Sequence, residues 1–353
     1  MDRIDLLKKL TTTPGISGHE SLIKQIMIEQ LGTSASYYSD NLGSVFFRFE
    51  SEESPKIMFI AHMDEIGFIV ADILDSGFIK MQPIGGWNPN TLLSSPVEIV
   101  TSDGKRHAGI IGSIPVHFKK GSDSDLDINS MFVDIGAVSQ KDAEENFGIA
   151  LGDQIVPKTN CTYIGQNRRL FSKAFDDRAG IAAVIELGRF LADNEHPNTV
   201  YCVGSVQEEV GCREATSIAY RTDADVCFVL EGAPADDIPG IPYSSQTALG
   251  KGVHVRLFDP TMIVKKKLKD FVIDVAEKNK IKYQLAVRKG GGTDGKQLHL
   301  ANRGIPAIVL GVPVRYAHSH NCSISMDDFD ELVKLINAIA KNLDQAALEK
   351  ILS

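Results

Sequence analysis

The sequence predicts an α/β fold: a mostly parallel sheet covered by helices on both faces, with a small β domain inserted into it. Three observations in the 353 residues carry this reading. Apolar runs of strand length alternate with helical stretches early and late in the chain, the pattern of a parallel sheet. The run Lys56 to Ala61 is continuously apolar after its lysine, as a strand covered on both faces must be. From Phe68 to about Gly165 helical periodicity stops, and short β-branched runs (Val97 to Thr101, Ala108 to Ile111, Met131 to Ile135) lie between Gly/Pro-rich turns. The expected division is therefore 1–68 plus 166–353 as the main α/β domain and 69–165 as the insert.

Taken in order, Leu6, Leu7 and Leu10 suggest a first helix ending before Pro14. Ser17-Gly18-His19-Glu20 reads as a capping box for a second helix whose apolar face is Leu22, Ile23, Ile26 and Leu31. Asp40 to Gly43 looks like a turn between β-rich stretches. After the insert, helices are expected at 177–191, 213–220, 262–278 and 327–343, and strands at 199–206, 225–230, 282–287 and 305–310.

Composition narrows the function. With 43% hydrophobic and 24% charged residues the chain is an ordinary globular protein. Its 37 Lys+Arg against 46 Asp+Glu give a net charge of −9, which argues against nucleic acid and anionic membranes as partners. No apolar run approaches the ~18 residues of a membrane span. The N-terminal residues mix Asp2 and Asp5 with Lys8 and Lys9, unlike a secretory signal. Five cysteines without Cys-x-x-Cys spacing suit buried thiols in a reducing cytoplasm.

Ligands of open α/β sheets bind outside the carboxyl ends of the strands. The residues just past those ends are His62-Met63-Asp64-Glu65, Gln207-Glu208-Glu209, Glu231, Gly290-Gly291-Gly292-Thr293-Asp294 and His318-Ser319-His320. Phe175-Asp176-Asp177-Arg178 opens a helix beside them. Taken singly, each has a bland explanation: a hydrogen-bonded His/Asp pair, a solvated loop, a helix cap. Together they place two imidazoles and several carboxylates at one edge of one sheet. Oxygen and imidazole donors without thiolate suit zinc, cobalt or manganese, and two ions need a bridging carboxylate plus two terminal sets.

These segments, in this order, resemble metallopeptidase family 42, the glutamyl and tetrahedral (dodecameric) aminopeptidases with their FrvX-like relatives. The similarity spans nearly the whole chain. It implies that His62, Asp176 and Glu231 bind one divalent ion and that Asp176, Glu209 and His318 bind the other. It further implies that Glu208 is the general base and that Asp64 orients His62. On an extended backbone, Glu208 and Glu209 would face different ways. The implied activity is hydrolysis of N-terminal residues from short peptides, in a homo-oligomer, by resemblance a dodecamer, whose inserted β domain makes the subunit contacts. Two positions depart from the family pattern. Glu231 stands where aspartate is commoner, and Ser319-His320-Asn321 replaces Ser/Thr-Pro; His320 is expected to be exposed or to lie beside the metal ligands rather than on a metal.

Other signals are weaker. Asp123 to Asn129 resembles a calcium loop but has Ile128 where glycine is needed and Asp134 where glutamate is needed. Lys265 to Lys267 reads as the wet face of a helix, and Gly290 to Gly292 as a close backbone approach to substrate rather than a phosphate loop. His107, His117, His254 and His299 are expected to be structural. The rival readings are a di-metal deacylase acting on N-acyl substrates and a catalytically weak assembly protein. A glycosidase finds little support with one tryptophan and its carboxylates committed to metal.

Overall fold

The computed structural model describes residues 1–51, 55–118 and 126–353. The first half of the calcium-loop-like run, 123–125, lies outside the described residues. Four parallel strands make the centre of the main sheet, in the spatial order Thr199–Ser205, Lys56–His62, Val226–Pro234, Ala307–Val314. Apart from Lys56 at one end and Pro234 at another, every residue of the four is buried. Their carboxyl ends share one edge.

Each flank opens with a strand that runs the other way. Val45–Phe49 pairs antiparallel with Thr199–Ser205 and continues to Ser36–Ser39 through a tight turn. Asp40 holds that turn by accepting the amides of Leu42, Gly43 and Ser44. At the far margin Val253–Asp259 is antiparallel to Ala307–Val314 and carries Met262–Ile263 and Tyr283–Val287. The nine-stranded sheet is thus mixed, a parallel centre with antiparallel flanks. The sequence reading missed Val253–Asp259 because it buries His254 and Arg256. Those polar residues interrupt the apolar run that marks a covered strand.

Helices flank the sheet. Phe175–Asp193 crosses the central strands and packs on Arg3–Thr12, Ser21–Leu31 and Met326–Asn342. The capping box is not formed. Ser17 donates to Asp64 at 2.6 Å, and Glu20 accepts from the amides of Gly18 and Gln207. The helix expected from 262 begins at Lys266, because Met262–Ile263 turns back onto the sheet. A final helix, Gln345–Leu352, was not foreseen.

Between Lys56–His62 and Phe175–Asp193, six strands close into a barrel in the order Gly67–Ile73, Ile79–Ile84, Phe132–Asp134, Arg106–Ile111, Pro96–Val100, Gln154–Pro157. It has its own core around Phe68, Val70, Ile99, Val133 and Ile155. Closure removes the free strand edges. The chain leaving it forms Thr162–Ile164 and Arg169–Ser172, and the latter pairs with Cys322–Ser325. That small sheet ties the return from the barrel to the loop carrying His318.

Candidate metal centre

His62 ends its central strand, and its Nδ1 lies 3.0 Å from the Asp64 carbonyl oxygen. A carbonyl only accepts, so Nδ1 carries the proton and Nε2 is turned toward the Asp176 carboxylate at 3.2 Å. His318 is set in the same way: Nδ1 donates to the Gly86 carbonyl at 2.7 Å, which leaves Nε2 facing Asp176 and Glu209. Gly86 follows the barrel strand Ile79–Ile84, so the chain leaving that strand orients the imidazole.

Asp176 joins the two halves. Its Oδ1 is 3.2 Å from Nε2 of His62, and its Oδ2 is 3.6 Å from Nε2 of His318. Glu231 Oε2 approaches the first imidazole at 3.9 Å and Glu209 Oε1 the second at 3.5 Å. Among the described residues, two clusters have donor atoms mutually within 4.8 Å: His62, Asp176 and Glu209, and His62, Asp177 and Glu231. Asp176 and Asp177, joined by a cis peptide, have non-helical dihedrals at the start of Phe175–Asp193.

Asp177 is a residue for which the sequence offered only the bland role of a helix cap. Its Oδ1 does accept the Gly180 amide at 2.9 Å, but Oδ2 accepts the His62 amide at 3.2 Å and the carboxylate borders Glu231. The doubled aspartate was the available signal. Asp294 is also drawn in, accepting from Ser205 at 2.6 Å. Its strand Tyr283–Val287 runs opposite to the central four, so the loop rather than the strand direction brings Gly290 to Thr293 to the cavity.

Glu208 and Glu209 lie beyond the end of Thr199–Ser205, after Gln207 at φ 59° has turned the chain out of the strand. Asp64 fixes this turn: Oδ1 accepts the Glu208 amide and Oδ2 the Glu209 amide, each at 3.1 Å. The Glu208 carboxylate accepts from the Cys212 thiol at 3.2 Å. His320 is buried outside this ring of groups, its ring 5.7 Å from that of Trp87.

The electrostatics are those of crowded acids. Burial pushes Glu208 up to about 7 and Glu209 up to about 8. Glu231 is driven well above the usual carboxylate range by burial and then by Asp177. Burial opposes charge on His318, yet its hydrogen bond to Asp176 and the charge of Glu209 hold it up to about 10. Without metal, a proton on each Nε2 can bridge to the carboxylate; a divalent ion bound there would take that proton's place. The donors fit divalent ions, since oxygen and imidazole nitrogen converge in pairs of sets around one carboxylate.

A sheet whose covered parallel centre carries such a cluster at its carboxyl edge, opening into a cavity of about 800 Å³, has the arrangement of a metal-dependent hydrolase. The profile of the M42 glutamyl aminopeptidase family matches residues 43–335. The glutamyl aminopeptidase of Lactococcus lactis is 34% identical, with 99% of each chain covered. The lysyl aminopeptidase of Pyrococcus furiosus is 33% identical over 96% of this chain and 97% of its own. Among solved structures, a TET aminopeptidase from a marine-sediment thaumarchaeon superposes with a TM-score of 0.95 at 38% identity, covering 99% of both chains. The TET1 peptidase of Pyrococcus horikoshii, described as assembling into a tetrahedron or a large octahedral shell, gives 0.87 at 32% identity, covering 97% of this chain and 100% of that one. The chain belongs to the M42 family and is a metallo-aminopeptidase.

Proposed function

We propose that His62, Asp176 and Glu231 hold one divalent ion and that Asp176, Glu209 and His318 hold a second. The observation that carries this is the division of Asp176, with each carboxylate oxygen facing a different imidazole. Asp177 has a carboxylate oxygen within 4.8 Å of the His62 and Glu231 donors, and its Oδ2 also accepts the His62 amide. Zinc, cobalt and manganese all suit the donors. When bound, the ions supply Lewis acidity toward the peptide carbonyl and toward water.

The chain's own groups do the proton work. Glu208 borders the cavity without belonging to either ligand set. Its carboxylate takes the proton of the attacking water and returns it to the leaving amine. Asp64 holds the Glu208 and Glu209 amides and the His62 side, so one buried carboxylate aligns base and ligands together.

The cavity wall supports a preference for acidic N-terminal residues. Besides the carboxylates, its lining includes Arg288, Lys289 and Lys296. Arg288 is paired with Asp236, whereas among the described residues neither lysine has a carboxylate partner. Two unpaired ammonium groups attract a substrate carboxylate and repel a lysine. A panel of aminoacyl-p-nitroanilides with zinc, cobalt or manganese tests this: Glu and Asp substrates should exceed Lys. Preference for Lys would overturn the specificity, and turnover of N-acetylated substrates alone would favour a deacylase.

Residues 69–165 are read as a domain inserted between the two parts, 1–68 and 166–353, of the catalytic one. Exposed Ile114, Phe118, Val138 and Leu151 on and beside the barrel support its role in subunit contact within a dodecamer. Among the described residues no helix is long and apolar enough to cross a membrane. Five free cysteines support a reducing cytoplasm.

A further inference from the structure

We propose that the buried cluster Glu65, Lys173 and Arg178 sets the spacing between the two chain segments that supply the metal ligands, which makes Glu65 and Lys173 positioning residues of the site. The inference rests on the ligand assignment above. Glu65 lies three residues after His62 and one after Asp64; Lys173 lies three before Asp176, and Arg178 two after it. Lys173 Nζ contacts both oxygens of Glu65, at 2.5 Å from Oε1. Arg178 Nη2 approaches Oε1 at 3.6 Å. All three side chains are 3% exposed or less.

The cluster is anchored on a third element. Arg178 donates to the carbonyls of Leu10, Thr13 and Gly15, and the Glu65 amide donates to the Gly15 carbonyl at 3.0 Å. The strand end bearing His62 and the helix start bearing Asp176 are therefore pinned to each other and to the end of Arg3–Thr12 with the residues that follow it. None of the three lines the substrate cavity. Filling this space with apolar side chains would avoid the desolvation of three charges. What the ions add is direction, because a two-oxygen contact on a buried ammonium fixes both backbones where packing alone would let them slide. Two cations against one carboxylate also leave a surplus positive charge. It faces Asp64 and Asp177, which hold His62 from behind.

The test uses full-length Lys173→Met, which removes the ammonium with little change in volume. Metal affinity is read by competition with a chromophoric chelator, alongside kcat, KM, melting temperature and particle mass. Loss of groups that orient metal ligands typically costs about 10–100-fold in metal affinity. That loss is expected here, with intact assembly and KM within about twofold once metal is saturating. A folded variant with a lower melting temperature but wild-type metal affinity would overturn the proposal, since the cluster would then only support the fold. Should Lys173→Met not fold, Glu65→Gln/Lys173→Met, which removes the ammonium and its carboxylate and leaves Arg178 on the Leu10, Thr13 and Gly15 carbonyls, decides by the same readout: weak metal binding supports the proposal and wild-type affinity overturns it. An Asp176→Ala control that kept full metal would instead sink the ligand assignment itself.

Discussion

Glu208 and Glu209 are neighbours with different environments, and the difference predicts how each fails. Glu209 faces the His318 imidazole at 3.5 Å, whereas Glu208 has the Cys212 thiol as its side-chain partner. Glu208→Gln keeps size and polarity but removes the proton acceptor. Its turnover should drop by about 10²–10⁴-fold while metal content by elemental analysis stays unchanged. Glu209→Gln should lose metal first, and full metal in that variant would exchange the two assignments. Most of this cluster was legible because the residues follow strand ends of one sheet edge. Asp177 was not, since a carboxylate at a helix start has a sufficient local role, and it fills that role for Gly180 as well. Nor was the Glu65–Lys173 pair, whose members stand 108 positions apart with no periodicity to relate them.

At the scale of elements, the site depends on how closely the strand Val226–Pro234 approaches the start of Phe175–Asp193. A Cβ on Gly232 would come within 2.6 Å of the Asp176 Cα and of the Phe175 carbonyl oxygen. Both contacts are backbone, so they cannot be relieved by a rotamer change. Gly232→Ala should therefore displace Asp176, weaken both metal sites together and lower the melting temperature, as followed by metal titration and thermal scans. Unchanged affinity would show that the helix start can retreat without moving the carboxylate. The central strands were legible because burial on both faces writes a continuous apolar run. The margins were not. Val253–Asp259 interrupts its run with His254 and Arg256, partnered respectively by Thr247 and Asp259, contacts that the local pattern cannot reveal.

For the molecule as a whole, the barrel's exposed apolar residues and the acid cluster lead to separate expectations. Val138 and Phe118 are 83% and 75% exposed, and if they pack against other copies, Val138→Asp/Phe118→Asp should reduce the particle mass in light scattering. A wild-type mass would place the contacts elsewhere. The acid cluster couples metal binding to pH. Metal-free, Glu208 and Glu209 titrate near 7 and 8 instead of 4.5, and His318 near 10 instead of 6.5. For each, the folded chain holds its proton to higher pH than the unfolded chain. Their contribution to metal-free stability is therefore full below about pH 4.5 for the acids and 6.5 for the imidazole, and is lost as pH rises through the folded values. Divalent ions displace these protons, so metal binding strengthens with pH. The gap in melting temperature between metal-loaded and chelator-treated protein should widen steadily from about pH 6 to about pH 8. Proton release on metal addition, measured in weakly buffered solution, should shrink over the same range. A constant gap, with no proton release at the lower pH, would mean that the carboxylates are already ionised without metal and that the crowding of acids does not set the affinity.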